Sequence, residues 1–273
     1  MGVIFVGGIN MYKVGRTTGY GFEIKDEEFA NLSESGMSFI EHSLERLTYY
    51  HPKDIAEMCK RHNVILWSLH LPFRPTEIRD PSGLRPSYRK MSLEAYCEEI
   101  RRGADAGVDK FTFHPGTPFA NEAERPERLL LAQEFANDLA EFAHTQGAIV
   151  CVEDMPHCIG NSVDEIAAIL SVNDKLRVCF DVNHLLNNTH DEFIERFAER
   201  IATVHFSDYD FVEEKHWFPG EGEIDWVALM KKLYGAGYNG PWIYECGQRG
   251  RDYRTAYNFA AQILKDAGIP ENL

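Results

Sequence analysis

The sequence predicts a single (β/α)8 (TIM) barrel of the α/β class, one domain over residues 1–273. Three observations carry that prediction. Strand-like runs and helix-like segments alternate eight times, each strand-like run is apolar on both faces, and 273 residues is an ordinary length for eight such units. A parallel strand covered by helices has no solvent face, so it reads as a short continuous apolar run rather than an alternating one.

The first run is VIFVG (3–7), and Gly7, Gly8, Gly15, Gly19 and Gly21 mark a long loop after it. A helix over 26–36 opens with Asp26 and closes on Gly36, a cap at each end. MSFIEH (37–42) precedes a helix at 52–62 that begins with a proline. VILWSLH (64–70) precedes 91–106, which stops before Gly107, and DKFTFH (109–114) precedes 125–146, which stops before Gly147. AIVCVE (148–153) leads to 162–171, whose Ser162-Val-Asp-Glu165 start has the pattern of a capping box. LRVCFD (176–181) pairs with 189–199, IATVHF (201–206) with 224–236, and PWIYE (241–245) with 252–267. No Gly-x-Gly-x-x-Gly follows the first strand, which argues against an open dinucleotide-binding sheet.

Composition narrows the function classes. Hydrophobic residues make up 44% and charged residues 26%, enough for a large core. No apolar run approaches the roughly 18 residues of a membrane span, and the N-terminus lacks the basic start of a signal peptide, so the expected compartment is the cytoplasm. Six cysteines without a CxxC pair read as free thiols, Cys151 and Cys179 among them as small core residues. A net charge of −15 argues against a broadly basic nucleic-acid surface. A homo-oligomer stays open.

The chemistry lies at the strand ends. Successive runs finish at Glu41-His42, His70, His114, Glu153, Asp181 with His184 just beyond, His205 and Glu245. In a parallel barrel these positions share one rim, where active sites are built. Any single polar end merely marks a strand leaving the core, but seven in succession drawn from Asp, Glu and His do not. Three carboxylates on one rim raise one another's pKa values unless a cation compensates. Mixed carboxylate and imidazole donors suit manganese, zinc, cobalt, iron or magnesium. Sulfur is not expected at the rim, because Cys246 should point away from Glu245.

The segments SLHLPF (68–73), FTFHPG (111–116), VCVEDMP (150–156), VCFDVNH (178–184), VHFSDYD (204–210), HWFPGEGEIDW (216–226) and WIYECG (242–247) carry a family likeness. In order and spacing they resemble the xylose-isomerase-like barrel superfamily, which includes sugar epimerases, sugar-phosphate isomerases and endonuclease IV. The sugar-epimerase branch implies one metal held by Glu153, Asp181, His205 and Glu245. It also implies that Glu153 and Glu245 exchange protons with the carbon beside a carbonyl, through an enediolate, while His184 and His216 contact substrate hydroxyls near His70 and His114. Endonuclease IV implies three zinc ions. Its ligand positions match His70, His114, Glu153, Asp181, His184, His205, His216 and Glu245, with Glu214 where that pattern has an aspartate. Its first-strand motif is missing from FVGGIN (5–10), and PGEGEIDW (219–226) is closer to the sugar isomerases.

Three expectations follow. The first is a metal-dependent isomerase or epimerase of a sugar or sugar phosphate. The alternatives are a metal-dependent hydrolase or lyase that cleaves phosphodiesters, and a barrel that binds sugar without turnover. The divalent ion is manganese, zinc, magnesium or cobalt. Phe73 and Trp217 are placed to stack on a sugar face. Arg74, Arg79, Arg85, Arg89 and Lys90 after the third strand, or Arg249, Arg251 and Arg254 after the eighth, are candidates to hold a phosphate.

Overall fold

A computed structural model describes residues 12–45 and 48–271, and within them eight parallel strands pair in sequence order and close on themselves. The strands are β1 (Val14–Thr17), β2 (Phe39–Ser43), β3 (Ile65–His70), β4 (Lys110–Phe113), β5 (Ile149–Glu153), β6 (Arg177–Asp181), β7 (Ile201–Phe206) and β8 (Trp242–Tyr244). The helices that alternate with them are α1 (Asp26–Ser35), α2 (Pro52–Arg61), α3 (Pro86–Asp105), α4 (Arg125–Thr145), α5 (Val163–Leu170), α6 (His190–Phe197), α7 (Trp226–Gly235) and α8 (Tyr253–Asp266). Pairing of β1 with both β2 and β8 closes the ring. Among the described residues no helix is long and apolar enough to cross a membrane.

The first strand is the main departure from the sequence reading. The expected run at 3–7 lies outside the described residues, and the barrel's β1 is VGRT, inside the glycine-marked stretch taken as loop. Only Val14 in it is apolar. Gly15 is there because β2 crosses so closely that a Cβ would stand 2.1 Å from the Phe39 carbonyl oxygen. Arg16 is buried, its guanidinium packed on the Phe22 and Tyr253 rings and bonded to the Thr17, Gly19 and Tyr20 carbonyls.

The helix ends explain two further differences. Asp26 is not the cap of α1: Lys25 holds that position without a side-chain bond, and Asp26 pairs with Arg61 and His62 of the next unit. Gly36 does close α1, at φ 105°, where a side chain is disfavoured. Ser162 caps α5 through the Glu165 N–H, but the Glu165 carboxylate takes the Gly160 and Asn161 N–H groups and pairs with Arg125. The reciprocal capping box is at Thr189 and Glu192, on α6.

Trp67 on β3 is half-buried. Ile40 pairs with Leu66 and Glu41 with Ser68, so Trp67 is the extra residue of a bulge. Its indole N–H reaches Thr203 on β7, and its ring packs edge-on against Phe39. Trp242, by contrast, is a core residue, stacked on Phe206. All six cysteines are free.

Candidate metal centre at the barrel rim

Four strands deliver four side chains to one point. Glu153 ends β5, Asp181 ends β6, His205 lies near the end of β7, and Glu245 follows β8. One ligand atom from each lies within 4.8 Å of the others. His205 Nδ1 is 3.1 Å from Glu153 Oε1, 2.5 Å from Glu245 Oε2 and 3.9 Å from Asp181 Oδ2. Glu153, Asp181 and His205 are buried, and Glu245 nearly so.

Two smaller groups flank this tetrad. Glu153 Oε2 lies 3.0 Å from His70 Nε2 and 3.2 Å from His114 Nε2, so the two oxygens of one carboxylate serve different neighbours. On the other side Glu214 Oε1 is 2.8 Å from His216 Nε2 and 3.6 Å from His184 Nε2. Three of these histidines are aimed by backbone carbonyls: His70 Nδ1 donates to Leu71 O at 2.9 Å, His184 Nδ1 to Asp154 O at 2.7 Å, and His216 Nδ1 to Glu245 O at 2.9 Å. A carbonyl only accepts, so each Nδ1 carries the proton and each Nε2 is left facing the site.

The donor set fits a divalent cation. Asp181 Oδ2, Glu245 Oε2 and His184 Nε2 are buried and form no hydrogen bond of good geometry among the described residues, although His205 Nδ1 stands beside Glu245 Oε2. Buried polar atoms are almost always paired, and one cation at the tetrad would satisfy the two carboxylate oxygens. The titration behaviour agrees. Burial works against charge on Glu153, but His205 and His114 hold its carboxyl well below the usual range. Burial likewise opposes charge on Glu245, yet His205 holds it down at about 2. Asp181 goes the other way, pushed up to about 7 by burial and, despite His184, by Glu245. Without a cation the cluster therefore carries one carboxylate that it does not comfortably ionise.

One expectation fails here. A sulfur does approach the rim: Cys179 Sγ lies 3.5 Å from both ring nitrogens of His205. Cys179 and Asp181 are two residues apart on β6, so alternation turns both inward, one layer apart.

Several contributors carry no sequence signal strong enough to single them out. Tyr20, on the loop after β1, places its ring 5.1 Å from that of His216. Asp154 accepts the Asp181 N–H at 2.8 Å, holding the neighbouring strand end. Asp208 shapes the loop after β7, accepting the N–H groups of Gly220 and Ile224 and the Trp226 indole. That wrap explains Gly222 of PGEGEIDW, where a Cβ would stand 2.4 Å from Asp208 Oδ1.

The remaining candidates are placed as follows. Phe73 stacks on the His114 ring, centroids 4.5 Å apart, and meets His70 edge-on. Trp217 pairs its backbone with Asp208, and its ring lies under the Lys215 ammonium. Arg249 and Arg251 both pair with Glu221, and Arg254 bonds to the Glu34 carbonyl. In the loop after β3, Arg85 lies over Tyr88, and Arg74 lies over Phe73 and is exposed, while Arg89, on the first turn of α3, bonds back to the Gly83 carbonyl. Arg79 is half-buried, and Lys90 is exposed on α3, 3.8 Å from Glu94. The loop itself is tied down, with Glu45 accepting the Phe73 and Arg74 N–H groups and Asp80 pairing with Arg128.

Comparison with known proteins agrees with this architecture. An uncharacterized protein of Methanocaldococcus jannaschii is 24% identical over 209 residues, 70% of this chain and 69% of that one. A probable endonuclease 4 of Acholeplasma laidlawii is 26% identical over 170 residues, 55% of this chain and 57% of its own length. The chain thus spans little more than half of that endonuclease. Among solved structures, a D-tagatose 3-epimerase-like protein superposes with a TM-score of 0.82 at 21% identity, covering 94% of this chain and 98% of that one. An L-ribulose 3-epimerase gives 0.79 at 18%, covering 94% and 96%. At such identities the likeness is one of fold. The family model described as xylose isomerase-like TIM barrel matches residues 29–266, and the chain belongs to that family.

Proposed function

We propose that the protein is a divalent-metal-dependent isomerase or epimerase of a sugar or sugar phosphate. The observation that carries this reading is the tetrad, in which two glutamates from strands three apart in the ring flank His205, with buried carboxylate oxygens that form no hydrogen bond of good geometry. A bound divalent ion would polarise the substrate carbonyl and stabilise the negative charge that develops on it. Glu153 and Glu245 are both held in their charged forms, as proton acceptors must be. One would take the proton from the carbon beside the carbonyl, leaving the electron pair in an enediolate; the other, once it has taken up a proton from solvent, would deliver it to carbon, and the first would then release its own proton to water. His184 and His216, with Tyr20 beside them, would meet substrate hydroxyls. The full-length structural neighbours, an epimerase and an epimerase-like protein, support this reading.

The test is proton exchange. With manganese and a panel of ketoses in heavy water, deuterium should enter the carbon beside the carbonyl. Exchange should drop roughly 10²–10⁴-fold in Glu153→Gln and in Glu245→Gln, the range for removing a general base. Metal-loaded protein that exchanges no proton on any sugar sinks the proposal.

A second reading is favoured by one specific observation. Glu153 Oε2 faces two imidazoles while Oε1 faces the tetrad, and Glu214 joins His184 and His216, so three potential ion sites adjoin one another. That arrangement suits a three-zinc phosphodiester hydrolase, and the partial likeness to endonuclease 4 supports it. Three zinc ions per chain, with cleavage of a synthetic duplex at an abasic site, would establish it over the first.

A further inference from the structure

We infer that Glu41 is a positioning residue for His205, holding ring nitrogen Nε2 so that Nδ1 is presented to Glu153, Asp181 and Glu245. The inference rests on the metal-centre reading of the tetrad. It begins with an exception among the histidines. His70, His184 and His216 are each aimed by a backbone carbonyl at Nδ1 and turn Nε2 to the site. His205 is reversed, with Nδ1 toward the tetrad, and behind it stands a carboxylate instead of a carbonyl.

That carboxylate comes from β2, three strands away around the ring, and is fully buried. Its Oε2 accepts from Ser68 Oγ at 2.6 Å and more weakly from Thr112 Oγ1 at 3.4 Å. Its Oε1 forms no hydrogen bond of good geometry and lies 2.8 Å from His205 Nε2. The contact is bent from the N–H axis, so charge attraction holds it more than a straight hydrogen bond does. A buried carboxylate is costly where an apolar or amide side chain would fill the same space. A carboxylate behind a ligating imidazole has a function that offsets this cost, because it fixes the tautomer and strengthens the nitrogen opposite as a donor.

Cobalt(II) binding to the metal-free protein, followed by calorimetry and by the visible spectrum, tests the inference without any substrate. Glu41→Gln keeps the shape and removes the charge. Its cobalt affinity should fall about 10–100-fold, the range for losing such a partner, with an altered spectrum. The melting temperature of the metal-free variant should be equal to or above that of wild type. A cobalt affinity within threefold of wild type overturns the inference. Should Glu41→Gln fail to fold, 15N-histidine spectra of zinc-loaded wild type decide: the inference requires a proton on His205 Nε2 and metal on Nδ1, and the reverse overturns it. Wild type that binds neither cobalt nor zinc would instead bring down the metal-centre reading and this inference with it.

Discussion

The two oxygens of Glu153 face neighbourhoods that differ in charge. On the Oε1 side three carboxylates, Glu153, Asp181 and Glu245, share the His205 imidazole, and two of their oxygens are buried without a hydrogen bond of good geometry. On the Oε2 side two imidazoles share one carboxylate oxygen at hydrogen-bond distance, under the packed ring of Phe73. The first side is short of positive charge, which a proton on Asp181 or a bound cation would relieve, whereas the second is already satisfied. The tetrad is therefore the better candidate to hold an ion, and the His70–His114 pair would take one only if the chemistry calls for it.

The largest effect should come from asking which side catalysis needs. Glu153→Gln alters both sides and should cost roughly 10²–10⁴-fold in turnover under either functional reading. His114→Gln touches only the balanced side. If the enzyme is an isomerase, its loss resembles losing one substrate hydrogen bond, about 0.5–1.5 kcal/mol or up to about tenfold in rate. If it is a three-zinc hydrolase, the variant loses one zinc and falls as far as Glu153→Gln. Zinc counting by mass spectrometry beside turnover separates the two outcomes.

An intermediate effect should appear in the pH dependence of the metal-free protein. Asp181, pushed up to about 7, and His70, raised to about 9 by Glu153 despite its burial, bind a proton more tightly folded than unfolded. The stability they contribute is complete below their ordinary values of 3.8 and 6.5, and is lost as pH rises through about 7 and 9. Glu245 has the opposite sign: its contribution is present above 4.5 and lost as pH falls through about 2. In chelator the melting temperature should peak near pH 4–5 and fall toward pH 9. Saturating manganese, which requires ionised Asp181, should flatten the decline between about pH 5 and 7. A melting temperature that climbs steadily from pH 5 to 9 in chelator would contradict the charge imbalance assigned to the tetrad.

What the sequence could and could not reveal follows from how local each feature is. Rim residues such as Glu153, Asp181 and His205 are legible because a parallel strand is an apolar run and its polar terminus stands out. The first strand is not legible, since Val14–Thr17 is a strand through the close approach of β2 to Gly15 and the burial of Arg16 under two rings, neither of them local. The alignment of Glu41 behind His205 and the approach of Cys179 depend on distances across or between strands. Which nitrogen His70, His184 and His216 offer is set by carbonyls that other residues supply, as Asp154 does for His184.

The smallest expected effect extends the contrast between satisfied and unsatisfied charge to the arginines. Arg249 and Arg251 share the carboxylate of Glu221, so a phosphate would have to displace a partner already in place. Arg74 is exposed over Phe73, whose ring stacks on His114, and no carboxylate among the described residues pairs with it. If the substrate carries a phosphate, Arg74 is the better placed cation, and its Ala variant should raise KM for a sugar phosphate without changing KM for the plain sugar. An exposed ion pair is worth about 0.2–1 kcal/mol, which limits the change to roughly fivefold. Arg251→Ala should move neither constant beyond about twofold, because it breaks one surface pair of similar size away from the reacting groups. A larger KM effect from Arg251 than from Arg74 would shift the phosphate to the β8 side and reverse this assignment.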